Sequence, residues 1–344
     1  MSTILVTGGT GYIGSHTVVE LLEGGMEVVI VDNLSNSNRE VLEGITEITG
    51  KNPQFEEVDL RDRSSTYAVF EKYPGIRAII HFAAFKAVGE SVEKPLAYYE
   101  NNLLSLIHLL EAMGKFKVDH MVFSSSCTVY GEPDILPVSE KAPLKKANSP
   151  YGNTKQICED ILRDTMNSTE GKGVISLRYF NPIGAHPSAS IGELPRGVPN
   201  NLVPFITQTA AGLREYLSVF GDDYNTPDGS AIRDYINVVD LARAHVKAIK
   251  RLLDKKQLSE FEVFNLGTGR GISVLELIHA FEKSTGQKLS YKIVDRREGD
   301  IEKVYADTSY ANDELGWKAE KGIEETLQSA WKWEMNIKSK NKAT

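Results

Sequence analysis

The chain has 344 residues, of which 41% are hydrophobic, and a formal net charge of −8. That length suits one large or two smaller domains with a packed core, and the acidic balance argues against a nucleic-acid surface. The two cysteines, Cys127 and Cys158, predict neither a disulfide framework nor a metal site, as in a reducing cytosol. We expect no signal peptide, and no apolar run approaches the roughly 20 residues of a membrane span. The composition therefore predicts a cytoplasmic protein without nucleic-acid or membrane partners.

A short apolar strand runs into a glycine-rich turn, with Gly8, Gly11 and Gly14 at the start of a predicted helix. Such glycines allow a tight turn and the close approach of a pyrophosphate to the helix N-terminus. The next predicted strand ends in Asp32, at the spacing typical of a carboxylate that binds the adenosine ribose hydroxyls. Because an acidic group there repels a 2′-phosphate, the motif favours NAD over NADP; a glycine turn without a ligand is the alternative.

Strands and helices then alternate along the chain. Regular alternation indicates a parallel sheet covered by helices on both faces, with ligands bound beyond the carboxyl ends of the strands. We predict strands over residues 55–58, 78–82, 120–123 and 174–179, and helices over 39–48, 64–72, 96–116 and 151–166. The residues expected on one rim of that sheet are Asp59, Phe82, Ala83, Ala84, Ser124, Ser125, Ser126, Phe180 and Asn181.

The sequence changes character after Asn181. Residues 182–235 are rich in proline, glycine and asparagine, which is typical of functional loops or a small lid. Later elements are a helix over 203–213, a helix over 238–253, a strand over 261–266, a capping box at 273–276 that opens another helix, and a last helix over 323–333. The glycines of residues 267–271 read as an ordinary turn, because no second acidic partner accompanies them.

The fold class that follows is α/β, with a Rossmann-type doubly wound parallel sheet and a smaller C-terminal α/β domain that binds the substrate. We expect residues 1–180 to form the first domain and residues 181–344 the second. Some segments, at about residues 236–270, are expected to return to the first domain.

Tyr151 and Lys155 lie four residues apart and share one face of the predicted helix over 151–166. A phenol that acts as a base at neutral pH needs its pKa lowered by about three units, which is worth roughly 4 kcal/mol. One cation about 4 Å away, at an effective dielectric near 20, supplies roughly that much. Lys155 is the candidate cation, and an ordinary surface helix start is the alternative.

Taken together, these motifs resemble the extended short-chain dehydrogenase/reductases, through the three glycines, Ser126 and the Tyr151-x-x-x-Lys155 pair. Longer strings are similar to those of the UDP-glucose 4-epimerases within that family. They are residues 8–16, 86–91, 124–126 with 128–130, 149–152, 178–187 and 296–300. The resemblance extends over essentially the whole chain.

The resemblance implies reversible epimerisation at C4 of UDP-hexoses through a 4-keto intermediate, with tightly bound NAD. Tyr151 would act as the base at the sugar 4-hydroxyl, and Ser126 would hydrogen-bond the 4-oxygen. Lys155 would lower the pKa of the phenol and hold the nicotinamide ribose, and the positive nicotinamide ring would add to the same pKa shift. For Ser126 the alternative is a strand-end hydroxyl bonded to backbone. The family also implies a homodimer joined through the helices over 96–116 and 151–166.

The same resemblance implies the remaining contacts. Those to the cofactor are Gly8, Gly11, Tyr12, Ile13, Gly14, Asp32, Asn33, Asn36, Ser37, Asp59, Leu60, Phe82, Ala83, Ala84, Lys86, Asn101, Ser124, Tyr151, Lys155 and Tyr179. Those to the substrate are Lys86, Ser126, Tyr151, Phe180, Asn181, Asn201, Leu202, Phe220, Arg233, Arg297, Asp300 and Val304. Guanidinium groups suit bidentate binding of a diphosphate, although a surface ion pair is the alternative for each arginine.

Two other functions fit the same fold. Sugar-nucleotide 4,6-dehydratases carry an Asp-Glu pair where this chain has Cys127 and Thr128, neither of which acts as an acid or base at neutral pH. That substitution disfavours the dehydratase. A non-catalytic NAD-binding regulator would keep the glycines and Asp32, but would have no reason to keep Ser126 together with the tyrosine–lysine pair.

Val304 bears on the choice of sugar. In the family a bulky side chain at this position excludes N-acetyl sugars, and valine is small. The resemblance therefore predicts that UDP-GlcNAc and UDP-GalNAc are also interconverted, unless other loops close the pocket.

Overall fold

The structure is a computed structural model that describes residues 2–297 and 300–343, with side chains described as far as residue 340. Glu298 and Gly299, which belong to the string over 296–300, lie outside the described residues. No helix in the described part of the chain is long and apolar enough to cross a membrane.

The strands are β1 (Thr3–Thr7), β2 (Glu27–Asp32), β3 (Gln54–Glu57), β4 (Ile76–His81), β5 (His120–Ser126), β6 (Gly173–Tyr179), β7 (Asn181–Ile183), β8 (Leu217–Phe220), β9 (Ile232–Arg233), β10 (Tyr235–Asn237), β11 (Phe261–Leu266), β12 (Ile272–Ser273), β13 (Tyr291–Val294) and β14 (Lys303–Val304). The helices are α1 (Tyr12–Glu23), α2 (Val41–Thr49), α3 (Arg63–Lys72), α4 (Val88–Glu93), α5 (Pro95–Phe116), α6 (Pro150–Asn167), α7 (Leu202–Ala210), α8 (Val238–Leu253), α9 (Val274–Thr285), α10 (Ser309–Asp313) and α11 (Ile323–Ala343), with a 3-10 turn at Cys127–Tyr130.

Seven strands form one parallel sheet in the order β11-β6-β5-β4-β1-β2-β3. Successive side chains of a strand point to opposite faces, so the sheet contributes residues to two hydrophobic cores, one on each face. Val6 joins α1 and α8 in one core, whereas Leu5 joins α3, α5 and α6 in the other. The predicted Rossmann-type α/β fold is confirmed. The direction of strand order reverses between β1 and β4, which is where ligands bind in such sheets.

A second body of structure follows β6. The helices α7, α9 and α11 pack around the two-stranded parallel sheet of β8 and β13, in a hydrophobic core that includes Leu217, Phe281 and Leu327. Short pairings of β7 with β10 and of β9 with β12 and β14 lie between this body and the large sheet. The chain returns to the large sheet with α8 in its core and β11 at its edge.

Several predicted boundaries are wrong for identifiable reasons. The predicted strand over 120–123 continues to Ser126, because its serine side chains find buried partners. The predicted helix over 203–213 stops at Ala210, ahead of Gly212 with its left-handed φ of 77°. The predicted last helix over 323–333 continues to Ala343. In that polar extension, Asn336 and Lys338 donate hydrogen bonds to distant backbone carbonyls, which the local sequence pattern does not reveal.

Candidate active site

The glycine turn packs tightly against the loop that follows β4. Gly8 has a φ of +70°, and a Cβ on it would lie 2.7 Å from the amide nitrogen of Ala83. A Cβ on Gly14 would lie 2.2 Å from the carbonyl oxygen of Gly8. The N-cap of α1 is Gly11, which provides no side-chain cap, and the first turn holds no acidic residue. The amide groups of that turn are thus free of side-chain caps, and the cradle fits the pyrophosphate of NAD.

Asp32 holds the adjoining loop in place. Its carboxylate is 9% exposed and accepts hydrogen bonds from the amide of Leu34 at 3.0 Å and from Ser37 Oγ at 3.0 Å. The amide of Thr10, in the glycine turn, donates to the same group at 3.3 Å. A carboxylate accepts up to about four hydrogen bonds, so it has capacity left for a ribose hydroxyl. This geometry fits the cofactor role expected from the sequence.

The other predicted cofactor residues surround these two loops. Asn33 Nδ2 lies 3.4 Å from Asp59 Oδ2, and the bidentate hydrogen bond from Arg61 holds the pKa of Asp59 below its usual value. The Phe82 ring packs against that of His245 at a tilt of 47°, with ring centres 4.7 Å apart. Leu60 and Asn101 are buried, Ile13 is half-buried, Ala84 follows Ala83 in the loop after β4, and Asn36 is exposed.

Tyr151 and Lys155 come together at the start of α6. The N-cap Ser149 accepts a hydrogen bond from the amide of Gly152 at 3.1 Å, which starts the helix one residue before Tyr151. Lys155 is 3% exposed, and its Nζ donates to the carbonyl oxygen of Ser124 at 2.6 Å. The same Nζ lies 6.0 Å from the centre of the Tyr151 ring. The alternative of an ordinary surface helix start is therefore wrong for Lys155, which is buried, while Tyr151 is half-buried.

Burial controls the ionisation of both groups. It raises the pKa of Tyr151 to about 12, against the opposing effect of the Ser126 hydroxyl. It lowers the pKa of Lys155 to about 8, although Cys158 and Glu159 act in the other direction. In the protein without NAD, desolvation therefore dominates the phenol pKa, and the lowering expected from Lys155 together with the positive nicotinamide ring stays a prediction. A further positive charge is needed, and the nicotinamide ring of NAD+ carries one.

Ser126 and Ser124 project from the carboxyl end of β5. Ser126 lies opposite Tyr179 in the parallel pairing of β5 with β6. Its Oγ accepts a hydrogen bond from the amide of Thr128 at 3.2 Å. The hydroxyl is therefore bonded to backbone, as in the alternative stated above, but only as an acceptor. The hydroxyl proton remains able to donate to a ligand. Ser124 Oγ accepts a short hydrogen bond from the phenol of Tyr179.

A buried carboxylate behind this edge was missed at the sequence level. Glu159 is fully buried on α6 and accepts from Ser125 Oγ at 2.6 Å and from Ser176 Oγ at 2.9 Å. It also forms a bidentate ion pair with Arg178 of β6. These contacts lock the helix that carries Tyr151 and Lys155 to strands β5 and β6. The sequence contained one indication of this role: Glu159 lies four residues after Lys155 and therefore shares its helix face.

The predicted diphosphate residues meet around one carboxylate. Asp300 lies 2.7 Å from Arg297 and 3.8 Å from Arg233, and the guanidinium of Arg297 stands over the ring of Phe220. The ion-pair alternative is thus seen at the surface only for Arg297, because the Arg233 and Asp300 side chains are each 16% exposed. Val304 is buried and pairs with Arg233 between β14 and β9, in an apolar cluster with Phe180. The chain thereby brings residues of four separate segments together.

Lys86 and Asn201 also converge, on a residue that was not predicted. Asn201 Nδ2 donates to Glu193 Oε1, and Lys86 Nζ lies 3.4 Å from the same oxygen. Asn201 is the N-cap of α7, which begins at Leu202, and its side chain makes no cap hydrogen bond. Glu193 thus links a predicted cofactor contact to a predicted substrate contact.

The turn over residues 267–271 is not a second phosphate site. The buried carboxylate of Asp234 accepts hydrogen bonds from the amide of Thr268 at 2.8 Å and from the amide of Gly269 at 3.1 Å. A Cβ on Gly267 would lie 2.4 Å from Asp234 Oδ2. The amide of Ala306 binds the same carboxylate at 3.2 Å. The anion held by this turn is therefore a side chain of the protein, and Asn181 of β7 bonds the backbone beside it.

Comparison with known proteins supplies the family. A family model described as GDP-mannose 4,6 dehydratase matches residues 5–330. A curated UDP-glucose 4-epimerase of Bacillus subtilis is 54% identical over 96% of this chain and 96% of its own length, and a human one is 48% identical over 96% of each.

Solved structures of UDP-glucose 4-epimerases are also similar to this chain. The chain has a TM-score of 0.95 and 48% identity to the UDP-glucose-4-epimerase of Stenotrophomonas maltophila with bound NAD and formylated UDP-arabinopyranose, covering 99% of this chain and 100% of that one. It has a TM-score of 0.93 and 47% identity to the enzyme of Bifidobacterium longum in complex with NAD+ and UDP, covering 97% and 98%.

The parallel sheet, the glycine cradle, the half-buried Tyr151 and the buried Ser126 and Lys155 define an NAD-dependent enzyme of the extended short-chain dehydrogenase/reductase class. The dehydratase description of the family model does not fit Cys127 and Thr128, which stand where a dehydratase carries its carboxylates. With its close relatives, the chain belongs to the UDP-glucose 4-epimerase family.

Proposed function

We propose that the protein reversibly epimerises UDP-glucose and UDP-galactose at C4, with NAD bound throughout. The observation that carries the proposal is the meeting of Tyr151, Lys155 and Ser126 at the carboxyl edge of the sheet, beside the glycine cradle. A regulator that only binds NAD has no use for a buried lysine that costs free energy to keep charged.

The residues perform the proton transfers. The glycine cradle and Asp32 would hold NAD, which would supply a reversible hydride acceptor for C4. Tyr151, as phenolate, takes the proton of the 4-hydroxyl, while Ser126 hydrogen-bonds the 4-oxygen. The 4-keto sugar then turns to present its other face, and Tyr151 gives the proton back to the 4-oxygen, so that no atom is gained or lost.

That cycle needs a firm hold on the nucleotide and a loose one on the sugar. The guanidinium of Arg297 lies over Phe220, and that of Arg233 lies 3.8 Å from Asp300, the carboxylate that Arg297 also binds. The two guanidinium groups would bind the diphosphate. Phe180 and Val304 present apolar surface on the sugar side, which offers few hydrogen bonds to prevent rotation. We assign NAD binding to residues 1–180 with the returning segment at about 236–270, and sugar-nucleotide binding to the rest of residues 181–344.

The proposal extends to N-acetylated sugars. Val304 is small and its backbone is fixed by the pairing of β14 with β9. A structural relative at 37% identity and a TM-score of 0.83 is named as the UDP-Glc/GlcNAc 4-epimerase of Campylobacter jejuni. We infer that UDP-GlcNAc and UDP-GalNAc are interconverted as well.

We also propose a homodimer that works in the cytoplasm. The helix α5 exposes Leu96 and Leu104 and packs along α6, so an apolar surface is available to a second copy. The free thiols of Cys127 and Cys158 suit a reducing compartment. A solution mass equal to that of one chain would exclude the dimer.

Incubation of the purified protein with UDP-galactose and no added NAD tests the function. Formation of UDP-glucose supports the epimerase. No turnover, even with NAD added, supports the regulator, stoichiometric consumption of NAD supports a dehydrogenase, and a product lighter by one water supports the dehydratase.

A further inference from the structure

Residues 184–197 form a segment, here called the strap, that runs from the substrate side back across the cofactor loops. It begins at Gly184 and ends at Gly197, which have left-handed φ values of 93° and 77°. Between them Ile191 is 1% exposed and belongs to the core of the large sheet. The segment is therefore seated on the NAD side of the molecule, although its sequence neighbours belong to the substrate side.

The strap touches each of the three loops that are expected to hold NAD. The phenol of Tyr12, in the glycine turn, donates to the carbonyl oxygen of Gly184 at 2.7 Å. Lys86, in the loop after β4, pairs with Glu193 at 3.4 Å. Arg196 reaches the loop after β2, in contacts described next. One short segment thus makes side-chain contacts with all three binding loops, in addition to the contacts that the glycine turn makes with the other two.

Arg196 is the strongest of these links. Its Nη1 donates to the carbonyl oxygen of Ser35 at 3.0 Å. Its Nη2 donates to the carbonyl oxygen of Ser37 and to Asn38 Oδ1, the latter at 3.0 Å. These acceptors flank Asn36 in the loop organised by Asp32. A guanidinium can hold several acceptors in one rigid plane, so Arg196 fixes the shape of that loop.

The helix α11 holds the strap from the other side. Trp333 Nε1 donates to the carbonyl oxygen of Glu193 at 2.8 Å, and a Cβ on Gly192 would lie 2.4 Å from the same indole. Asn336 Nδ2 donates to the carbonyl oxygen of Ala189, and Ser329 Oγ accepts from the amide of Ala185 at 3.0 Å. The strap is fixed at both faces, to the cofactor loops and to α11.

From these contacts we propose that the strap retains NAD, with Arg196 as a positioning residue that acts through the loop of residues 33–38. Dissociation of the dinucleotide requires the loops to separate, and they separate only when the strap lifts. The inference rests on the proposed function, in which the cofactor stays bound between turnovers.

Arg196→Ala tests the proposal without touching the reacting groups. NAD released from the loaded protein is captured by alcohol dehydrogenase and ethanol, and the rate is followed as NADH absorbance. We expect release about tenfold faster than from the wild type, the effect of losing about one charge-assisted hydrogen bond. The kcat of the NAD-loaded variant and the unfolding midpoint of the NAD-free protein should stay unchanged. Arg163→Ala, which breaks a surface pair on α6, is the matched control and should release NAD at the wild-type rate.

Asn336→Ala tests whether the strap acts as a unit. Asn336 contacts the strap from α11 at Ala189, so faster release in this variant requires transmission through the strap. Gln328→Ala, on the same helix but bonded to Ser284 of α9, is its control. Release at the wild-type rate from Arg196→Ala, or from Asn336→Ala alone, overturns the proposal. A wild-type protein that binds no NAD and turns over no UDP-galactose would instead refute the proposed function.

Discussion

Lys155 donates a 2.6 Å hydrogen bond to the carbonyl oxygen of Ser124, and this contact fixes the ammonium between the end of β5 and the ring of Tyr151. The cation is buried and its pKa is lowered to about 8, so the protein keeps it charged at neutral pH only with a narrow margin. The phenol beside it has its pKa raised to about 12. Under the proposed function, the phenol therefore needs the positive charge of the nicotinamide ring, in addition to that of Lys155, to act as a base at neutral pH.

Replacement of the base should separate binding from chemistry. Tyr151→Phe removes the group that accepts the proton of the 4-hydroxyl but leaves the glycine cradle intact. We expect turnover to fall by about 10²–10⁴-fold, the usual contribution of a general base. NAD content after purification should match that of the wild type. Loss of NAD together with turnover would assign Tyr151 to cofactor binding rather than catalysis.

Burial of Lys155 should change how the free energy of unfolding depends on pH. The folded pKa of Lys155, about 8, lies below its unfolded value of 10.5, so burial of the charge destabilises the fold fully below pH 8. The penalty is relieved as pH rises from 8 to 10.5, because the unfolded chain then binds more protons than the folded one. Lys155→Met should therefore gain free energy of unfolding relative to the wild type at pH 7, by up to about 3 kcal/mol.

The gain in free energy of unfolding of Lys155→Met over the wild type should decrease as the pH rises from 8 to 10.5. Urea unfolding of the NAD-free proteins at pH 7, 9 and 10.5 measures it. The raised pKa values of Tyr151 and Cys158 weaken both proteins at the alkaline end, so only the difference between variant and wild type is informative. A difference independent of pH would contradict the shifted pKa.

The ion pair of Glu159 with Arg178 should be strongly coupled to folding. Glu159→Gln keeps the shape of the side chain but leaves the buried guanidinium without its counter-charge, which costs about 3–5 kcal/mol. Asp160→Asn, on the same helix but in an exposed pair with Arg163, should cost under about 1 kcal/mol. Denaturant unfolding compares the two. Equal, small losses would mean that Glu159 does not hold α6 to the sheet.

Sugar specificity should follow the side chain at position 304. Val304→Tyr fills space beside Phe180, so turnover of UDP-GlcNAc relative to UDP-glucose should fall by about tenfold or more. Val304→Ala keeps the space open and should preserve the ratio. The kcat/KM for each substrate gives the measurement. An unchanged ratio in Val304→Tyr would place the control of specificity elsewhere.

Local spacing was sufficient to predict the parts of the site that one segment builds. The glycine turn with Asp32, and Tyr151 with Lys155, are set by a strand, a turn and a single helix face. Glu193 and Arg196 were missed, because their partners lie 107 and about 160 residues away and no local pattern marks them. The effect of burial, which raises the pKa of Tyr151 in the protein without NAD, could not be predicted from local spacing because burial is a tertiary property.

Isotopic labelling at C4 tests the central claim most directly. UDP-galactose that carries deuterium at C4 is converted in ordinary water, and the UDP-glucose formed is analysed by mass and NMR. If the hydrogen leaves C4 as a hydride and returns within the closed site, the label is retained at C4 of the product. A product with a solvent hydrogen at C4 would contradict the proposed chemistry of Tyr151, Ser126 and Lys155.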